Sequence, residues 1–156
     1  ILYEDLKKKA IRAALNFLSY KQRTVFELSK KLRDKDYDDE IIDIAMARLI
    51  ELGYVNDEQY ARDFVDMRKS YAGSYKLKTD LYKRGINKSI IEMVLSEIDT
   101  DTQYEELKAM CMKKNSQSEG LSNEKKYNRV MAFLIRKGYN FADVKNAMAE
   151  LEIKKY

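Results

Sequence analysis

An all-α array of three stacked three-helix modules is the fold this sequence predicts, and three observations predict it. First, one pattern occurs three times: Leu28-x-x-x-Leu32 with Tyr37-Asp38-x-x-Ile41-Ile42-x-x-Ala45-Met46 returns 49 residues on as Leu77-x-x-x-Leu81 with Gly85-Ile86-Asn87-x-x-Ile90-Ile91-x-x-Val94-Leu95. The third copy, 53 residues further, is Val130-x-x-x-Leu134, Gly138-Tyr139-Asn140, Val144 and Ala147-Met148. A period near 50 residues marks repeated modules that bury their apolar faces against one another. Second, the chain has no Pro and only five Gly in 156 residues, so nothing in its composition interrupts helices. Third, Tyr37, Ile86 and Tyr139 each precede an N-cap residue, and Ile42, Ile91 and Val144 each stand four positions after it. That is a hydrophobic staple in every copy, and it sets the angle at which the last two helices meet.

The elements follow in order, with modules at 1–55, 56–99 and 100–156. The first module opens with a helix from about Glu4 to Tyr20, and Thr24-Val25-Phe26-Glu27 is a capping box starting its second helix. Asp36 takes the left-handed position at the end of that helix, a tolerated choice, and Asp38 caps the third. In the middle module Asn56 and Gln59 form a capping pair, and Tyr60, Phe64, Met67 and Tyr71 make one stripe of a helix running from Asp57 to Tyr71. Gly73 punctuates the chain, a helix runs from Ser74 to Arg84, and Gly85 ends it in the left-handed conformation that Gly adopts without steric cost. Asn87 caps the third helix. In the last module Thr100 and Gln103 cap a helix from Asp101 to Lys114, Asn115–Asn123 is a polar and flexible loop, Gly138 ends the second helix and Asn140 caps the third.

Several function classes are excluded by composition. The absence of His removes His-based acid–base catalysis and the commonest zinc ligand. No Gly-rich phosphate loop is present, and acidic pairs such as Asp38-Asp39 sit where helix starts favour negative charge. The chain is therefore expected to be neither an enzyme nor a cofactor carrier. Cys111, the single Cys, lies beside Leu107, Met110 and Met112 and reads as a packing residue, consistent with a reducing, cytoplasmic setting. No apolar run is long enough to span a membrane. The start, Ile1-Leu2-Tyr3-Glu4-Asp5, lacks Met and any signal pattern, so the chain reads as a piece of a longer protein without its N-terminal part.

Charge alternates with the repeat. Residues 7–33 carry nine bases and one acid, 34–66 eleven acids and three bases, 67–88 seven bases and one acid, 89–107 six acids and no base, and 108–137 eight bases and two acids. Two readings fit this alternation. Basic second helices could pair with acidic third helices, adding ~0–1 kcal/mol per exposed pair. Alternatively, stacking lines up a basic ridge: Arg23, Lys30, Lys31 and Arg33; Lys76, Lys78, Lys83 and Arg84; Lys126, Arg129, Arg136 and Lys137. Such a ridge suits a polyanion or an acidic protein groove. Of the twelve Tyr, Tyr37, Tyr60 and Tyr139 read as structural. Tyr20, Tyr71, Tyr75, Tyr82 and Tyr127 stand beside basic residues and could stack on single-stranded bases or anchor a protein interface.

The string Leu52-Gly53-Tyr54-Val55-Asn56-Asp57-x-x-Tyr60-Ala61-x-x-Phe64-x-x-x-Arg68, followed by Gly73-x-x-x-Leu77-x-x-x-Leu81-x-x-Arg84-Gly85-Ile86, resembles the signature of the RecX family, regulators of the RecA recombinase. The resemblance implies tandem three-helix repeats in an elongated, curved monomer. It implies binding in the groove of the RecA–DNA filament, with DNA touched there or directly. The usual outcome is reduced filament growth, ATP hydrolysis and strand exchange in recombination, repair and the SOS response, although some members act as modulators. Arg62, Arg68 (with Lys69 beside it) and Arg84 match basic positions of the central motif. Leu52, Gly53, Tyr60, Phe64, Leu77, Leu81 and Gly85 match positions of structural character. A stand-alone DNA-binding repeat protein is the alternative, and net +4 with strong acidic blocks weighs against it.

Overall fold

Local signals account for most helix ends. The computed structural model describes residues 2–156. Among these residues there are nine α-helices and no strand: α1 Leu2–Tyr20, α2 Val25–Asp34, α3 Asp39–Glu51, α4 Asp57–Arg68, α5 Ser74–Lys83, α6 Lys88–Ser96, α7 Thr100–Ser116, α8 Asn123–Arg136 and α9 Phe141–Glu150. The Thr24–Glu27 capping box forms in full: the Thr24 hydroxyl accepts from Glu27 N at 3.1 Å, and the Glu27 carboxylate accepts from Thr24 N at 3.1 Å. Asn56, Asn87 and Asn140 each accept a backbone N–H of their own helix start. Asp36 (φ 67°), Gly85 (78°) and Gly138 (95°) all take the left-handed conformation at the end of a second helix.

Four expected details differ. Helix α4 stops at Arg68 rather than Tyr71, because the Arg68 carbonyl accepts from both Tyr71 N and Ala72 N as the chain turns. Asp38 occupies an N-cap position without a side-chain bond. Helix α7 is capped by Asp99, not Thr100, and Asp99 accepts from Asp101 N at 3.2 Å and from the Thr102 hydroxyl at 2.8 Å. The Thr102 hydroxyl, with the Asp101 amide, holds the Asp99 carboxyl below its ordinary range. The loop before α8 is also shorter than expected, since α7 continues to Ser116 and Ser122 caps α8. Ser118, inside that loop, is buried and donates to the Lys114 carbonyl at 2.9 Å.

The chain packs as two units, one comprising the residues up to Asp63 with Leu81–Ile91, the other Phe64–Asp80 with Glu92–Tyr156. In the first, α1 packs on α2 and α3. Ala10 and Ala14, one turn apart on α1, join Leu28 and Leu32 of α2 and Ile41, Ile42, Ala45, Met46 and Leu49 of α3 in the core. In the second, α7 packs on α8 and α9 around Leu107, Cys111, Val130, Leu134, Val144, Ala147 and Met148. The leucine-type pairs that opened each repeat, Leu28/Leu32, Leu77/Leu81 and Val130/Leu134, are all wholly buried. Tyr37 packs against the first core and Tyr139 lies in the second, as their staple positions require. Cys111 is fully buried, and burial pushes its thiol up to about 11. Met112, expected beside it, is exposed instead.

Candidate interaction surface

Each unit contains a joint in which the end of a later second helix meets the start of an earlier one. In the first unit the Thr24 hydroxyl, at the start of α2, donates to the Arg84 carbonyl just after α5 at 2.6 Å. The Asp57 carboxylate accepts from Val25 N at 2.9 Å, and Arg84 Nε donates to the Tyr60 hydroxyl at 3.1 Å. Gly85 lies directly against Phe26, leaving no space for a Cβ. In the second unit the start of α5 meets the end of α8: Gly73 N donates to the Lys137 carbonyl at 2.7 Å and Tyr75 N to the Gly138 carbonyl at 3.0 Å. Gln103, freed from capping α7, donates to the Ser74 hydroxyl at 3.2 Å. A Cβ on Gly138 would overlap the Lys76 backbone, and one on Gly73 would overlap Gly138. In the second joint free carbonyls at a helix C-terminus thus satisfy free N–H groups near a helix N-terminus, whereas in the first the carbonyl takes a hydroxyl and the N–H a carboxylate; in both, the opposed partial charges add to the attraction.

Asp57 is part of the first joint and is half-buried. Burial raises its carboxyl above the ordinary 3.8, opposed by the bond from Val25 N. A carboxyl raised on folding contributes stability that is full below its unfolded pKa and is lost as pH climbs through its folded pKa. Asp57→Asn keeps an oxygen acceptor for Val25 N and does not ionise. Urea midpoints from pH 3 to 7 should therefore fall less for the variant than for the wild type in the window just above 3.8. Parallel curves would rule out an ionisation cost at this joint.

The basic residues divide into tied and untied groups. Arg62 pairs with Glu58 at 2.9 Å and Lys76 with Asp80 at 3.6 Å within one helix, and Lys69, one residue past α4, pairs with Asp66 at 3.2 Å. Arg68 covers the Phe64 ring at 3.8 Å, and Lys31 lies 5.0 Å from the Phe17 ring. Arg84 is held by Tyr60, as above, and Arg23 is half-buried with its Nε enclosed. Lys30, Lys78, Lys83, Arg129 and Arg136 are exposed. Arg33–Asp39 and Lys108–Glu150 are ion pairs that join helices, whereas Lys7–Glu4, Arg48–Glu51 and Lys108–Glu105 stay within one.

The first unit carries Lys30, Lys83 and the exposed rings of Phe26 and Tyr82. The second carries Lys78, Arg129, Arg136, Tyr71 and Tyr75. Tyr82, 74% exposed, adjoins Lys83 at the end of α5. Tyr127, grouped by sequence with these surface rings, instead packs against the second core. Phe26 is a surface ring that sequence reasoning treated only as part of a capping box. Its place at the second residue of α2, on the face opposite Leu28, was the available signal.

Comparison with known proteins agrees with this architecture. Family models for the first, second and third three-helix domains of RecX match residues 10–49, 56–95 and 101–148. The chain is similar to the regulatory protein RecX of Halalkalibacterium halodurans, at 31% identity over 99% of this chain and 59% of that protein. It is also similar to that of Clostridium tetani, at 31% identity over 97% of this chain and 71% of that protein. A crystal structure of RecX from Lactobacillus salivarius superposes with a TM-score of 0.86 at 29% identity, covering 97% of this chain and 99% of that one. The chain spans 59% and 54% of the length of two of the curated relatives it matches. Among the described residues no helix is long and apolar enough to cross a membrane. With three matched domains in the order of the repeats, this chain belongs to the RecX family of regulatory proteins.

Proposed function

We propose that this chain is a regulator that occupies the helical groove of a RecA–DNA filament, bridging neighbouring subunits and restraining filament growth, ATP hydrolysis and strand exchange. Its work is steric and electrostatic and needs no catalytic group or cofactor. The three modules, 1–55, 56–99 and 100–156, act as successive contact elements of a cytoplasmic monomer. The observation that carries this reading is the pairing of exposed rings with exposed cations on well-packed helices, best seen at Tyr82 and Lys83. A ring of this kind on a rigid element is the usual anchor of a protein interface.

Arg84 is a poor probe, because its backbone and side chain both belong to the first joint. Tyr82→Ala combined with Lys83→Glu touches neither joint. That variant should require roughly tenfold more protein to inhibit the ATPase of preformed filaments, the loss typical of an aromatic anchor. Unchanged inhibition by a folded variant would remove the end of α5 from the interface. The alternative, a stand-alone DNA binder, predicts tight binding to bare DNA that weakens steeply between ~50 and ~200 mM salt. Firm binding to filaments with weak binding to bare duplex favours the regulator.

A further inference from the structure

In the second unit, α7, α8 and Tyr71 enclose a cleft of about 310 Å³ with an unusual charge arrangement. Lys113, Lys114 and Lys137 line it together with Tyr71, Met110 and Phe133, and no carboxylate does. Aromatic rings hold two of the cations, Lys114 and Lys137, in place. Lys137 Nζ lies 5.9 Å from the Tyr71 ring centre and 5.7 Å from that of Phe133, and Lys114 Nζ lies 4.6 Å from Phe133. Some lysines elsewhere have a carboxylate within 3.6 Å, as Lys7, Lys69, Lys76 and Lys108 do. Three like charges converging without a counter-charge repel one another, and an anion entering the cleft relieves that repulsion.

We propose that this cleft is a subsite for single-stranded nucleic acid, with the three lysines taking backbone phosphate and Tyr71 stacking on a base. Four features select this ligand. The cleft lies at the small end of ligand pockets, ~300–1,000 Å³, which suits one splayed nucleotide and excludes a duplex. Tyr71 is 47% exposed and offers a ring face for stacking. Lysine is depleted in protein–protein interfaces, whereas a basic groove with interleaved aromatics is what single strands bind. The cations are lysines, point charges that neutralise phosphate without the planar fork that reads base edges, so binding is independent of sequence. The assignment deepens the filament reading by giving the chain its own contact to the single strand.

The test uses the whole chain and a labelled oligothymidylate, titrated between ~50 and ~200 mM salt. Lys113→Gln/Lys114→Gln/Lys137→Gln should weaken binding at least tenfold and flatten the log–log salt slope by about 2, given ~0.7 per phosphate contact on a single strand. Lys8→Gln/Lys9→Gln/Lys21→Gln carries the same net charge and should bind like the wild type. Tyr71→Ala should lose ~5- to 150-fold, the range expected for one stacked base, and Tyr71→Phe should restore it. Equal losses in the two triple variants, or wild-type binding by Tyr71→Ala, would overturn the subsite. Loss of filament inhibition with oligothymidylate binding intact would also overturn it, by giving the cleft to a protein ligand. If the wild type fails to inhibit filaments while the cleft variants still lose oligothymidylate, the filament reading falls and the subsite stands.

Discussion

Gly138→Ala is expected to destabilise the chain by ~2–5 kcal/mol, combining ~1–2 kcal/mol for an L residue in the left-handed region with ~1–3 kcal/mol for overpacking. Gly138 has φ 95°, and its missing Cβ is where the Lys76 backbone lies. The neighbour is main chain, so no rotamer change relieves the overlap. Gly53 supplies the control: its φ is 81°, yet nothing lies within 4 Å of a Cβ there. Gly53→Ala should therefore show the conformational part alone, ~1–2 kcal/mol. The difference between the two urea midpoints, at constant m-value, measures the close approach at the joint. Amide exchange locates it, since the Gly73 and Tyr75 N–H groups donate across this joint to Lys137 and Gly138. Both amides should lose protection in Gly138→Ala. Equal destabilisation at Gly53 and Gly138 would mean that the joint adds nothing.

These joints explain what was legible in the sequence and what was not. Cores, caps and staples are local: Leu28 and Leu32 share a helix face, and Thr24 and Glu27 are three residues apart, so spacing alone predicts their roles. The joints bring together residues such as Thr24 with Arg84 and Gly73 with Lys137; the repeat makes the two pairs equivalent, but nothing in the spacing says that the members of a pair touch. Gly85 and Gly138 were read as helix ends, which they are. The same residue type also serves close packing, and sequence cannot separate a glycine chosen for φ from one chosen for space.

Charge was legible as a pattern but not as partners. The alternation suggested pairing between helices, and Arg33 of α2 does pair with Asp39 of α3, yet Arg62, Lys69 and Lys76 reach carboxylates only three or four positions away along the chain. Those neighbours are already in range, whereas pairing between helices depends on packing. Lys137 belongs to the basic ridge the sequence predicts, but its grouping with Lys113 and Lys114 is not legible there for a related reason. Lys113 and Lys114 are adjacent in a polar stretch, and only folding sets them beside Tyr71 and Lys137.

Thr24→Val tests the first joint in the same spirit, and its expected cost is ~2–4 kcal/mol. Thr24 is wholly buried, and valine matches its shape, so packing changes little. What goes is the hydroxyl, which accepts from Glu27 N at 3.1 Å and donates to the Arg84 carbonyl at 2.6 Å. Loss of the cap costs ~1 kcal/mol. Removing a buried donor from a carbonyl costs a further ~1–3 kcal/mol. Thr24→Ser keeps both bonds and sheds one methyl group, ~0.8 kcal/mol. A Val variant as stable as the Ser variant would show that the hydroxyl is dispensable. The comparison also bears on partner binding, because the Arg84 carbonyl follows directly on Tyr82 and Lys83. If the joint holds that end of α5 in place, Thr24→Val should weaken filament inhibition at temperatures where the chain remains folded. Thr24 itself, having no exposed surface, cannot touch a partner, so such a loss would reach the interface through the positions of α2 and α5.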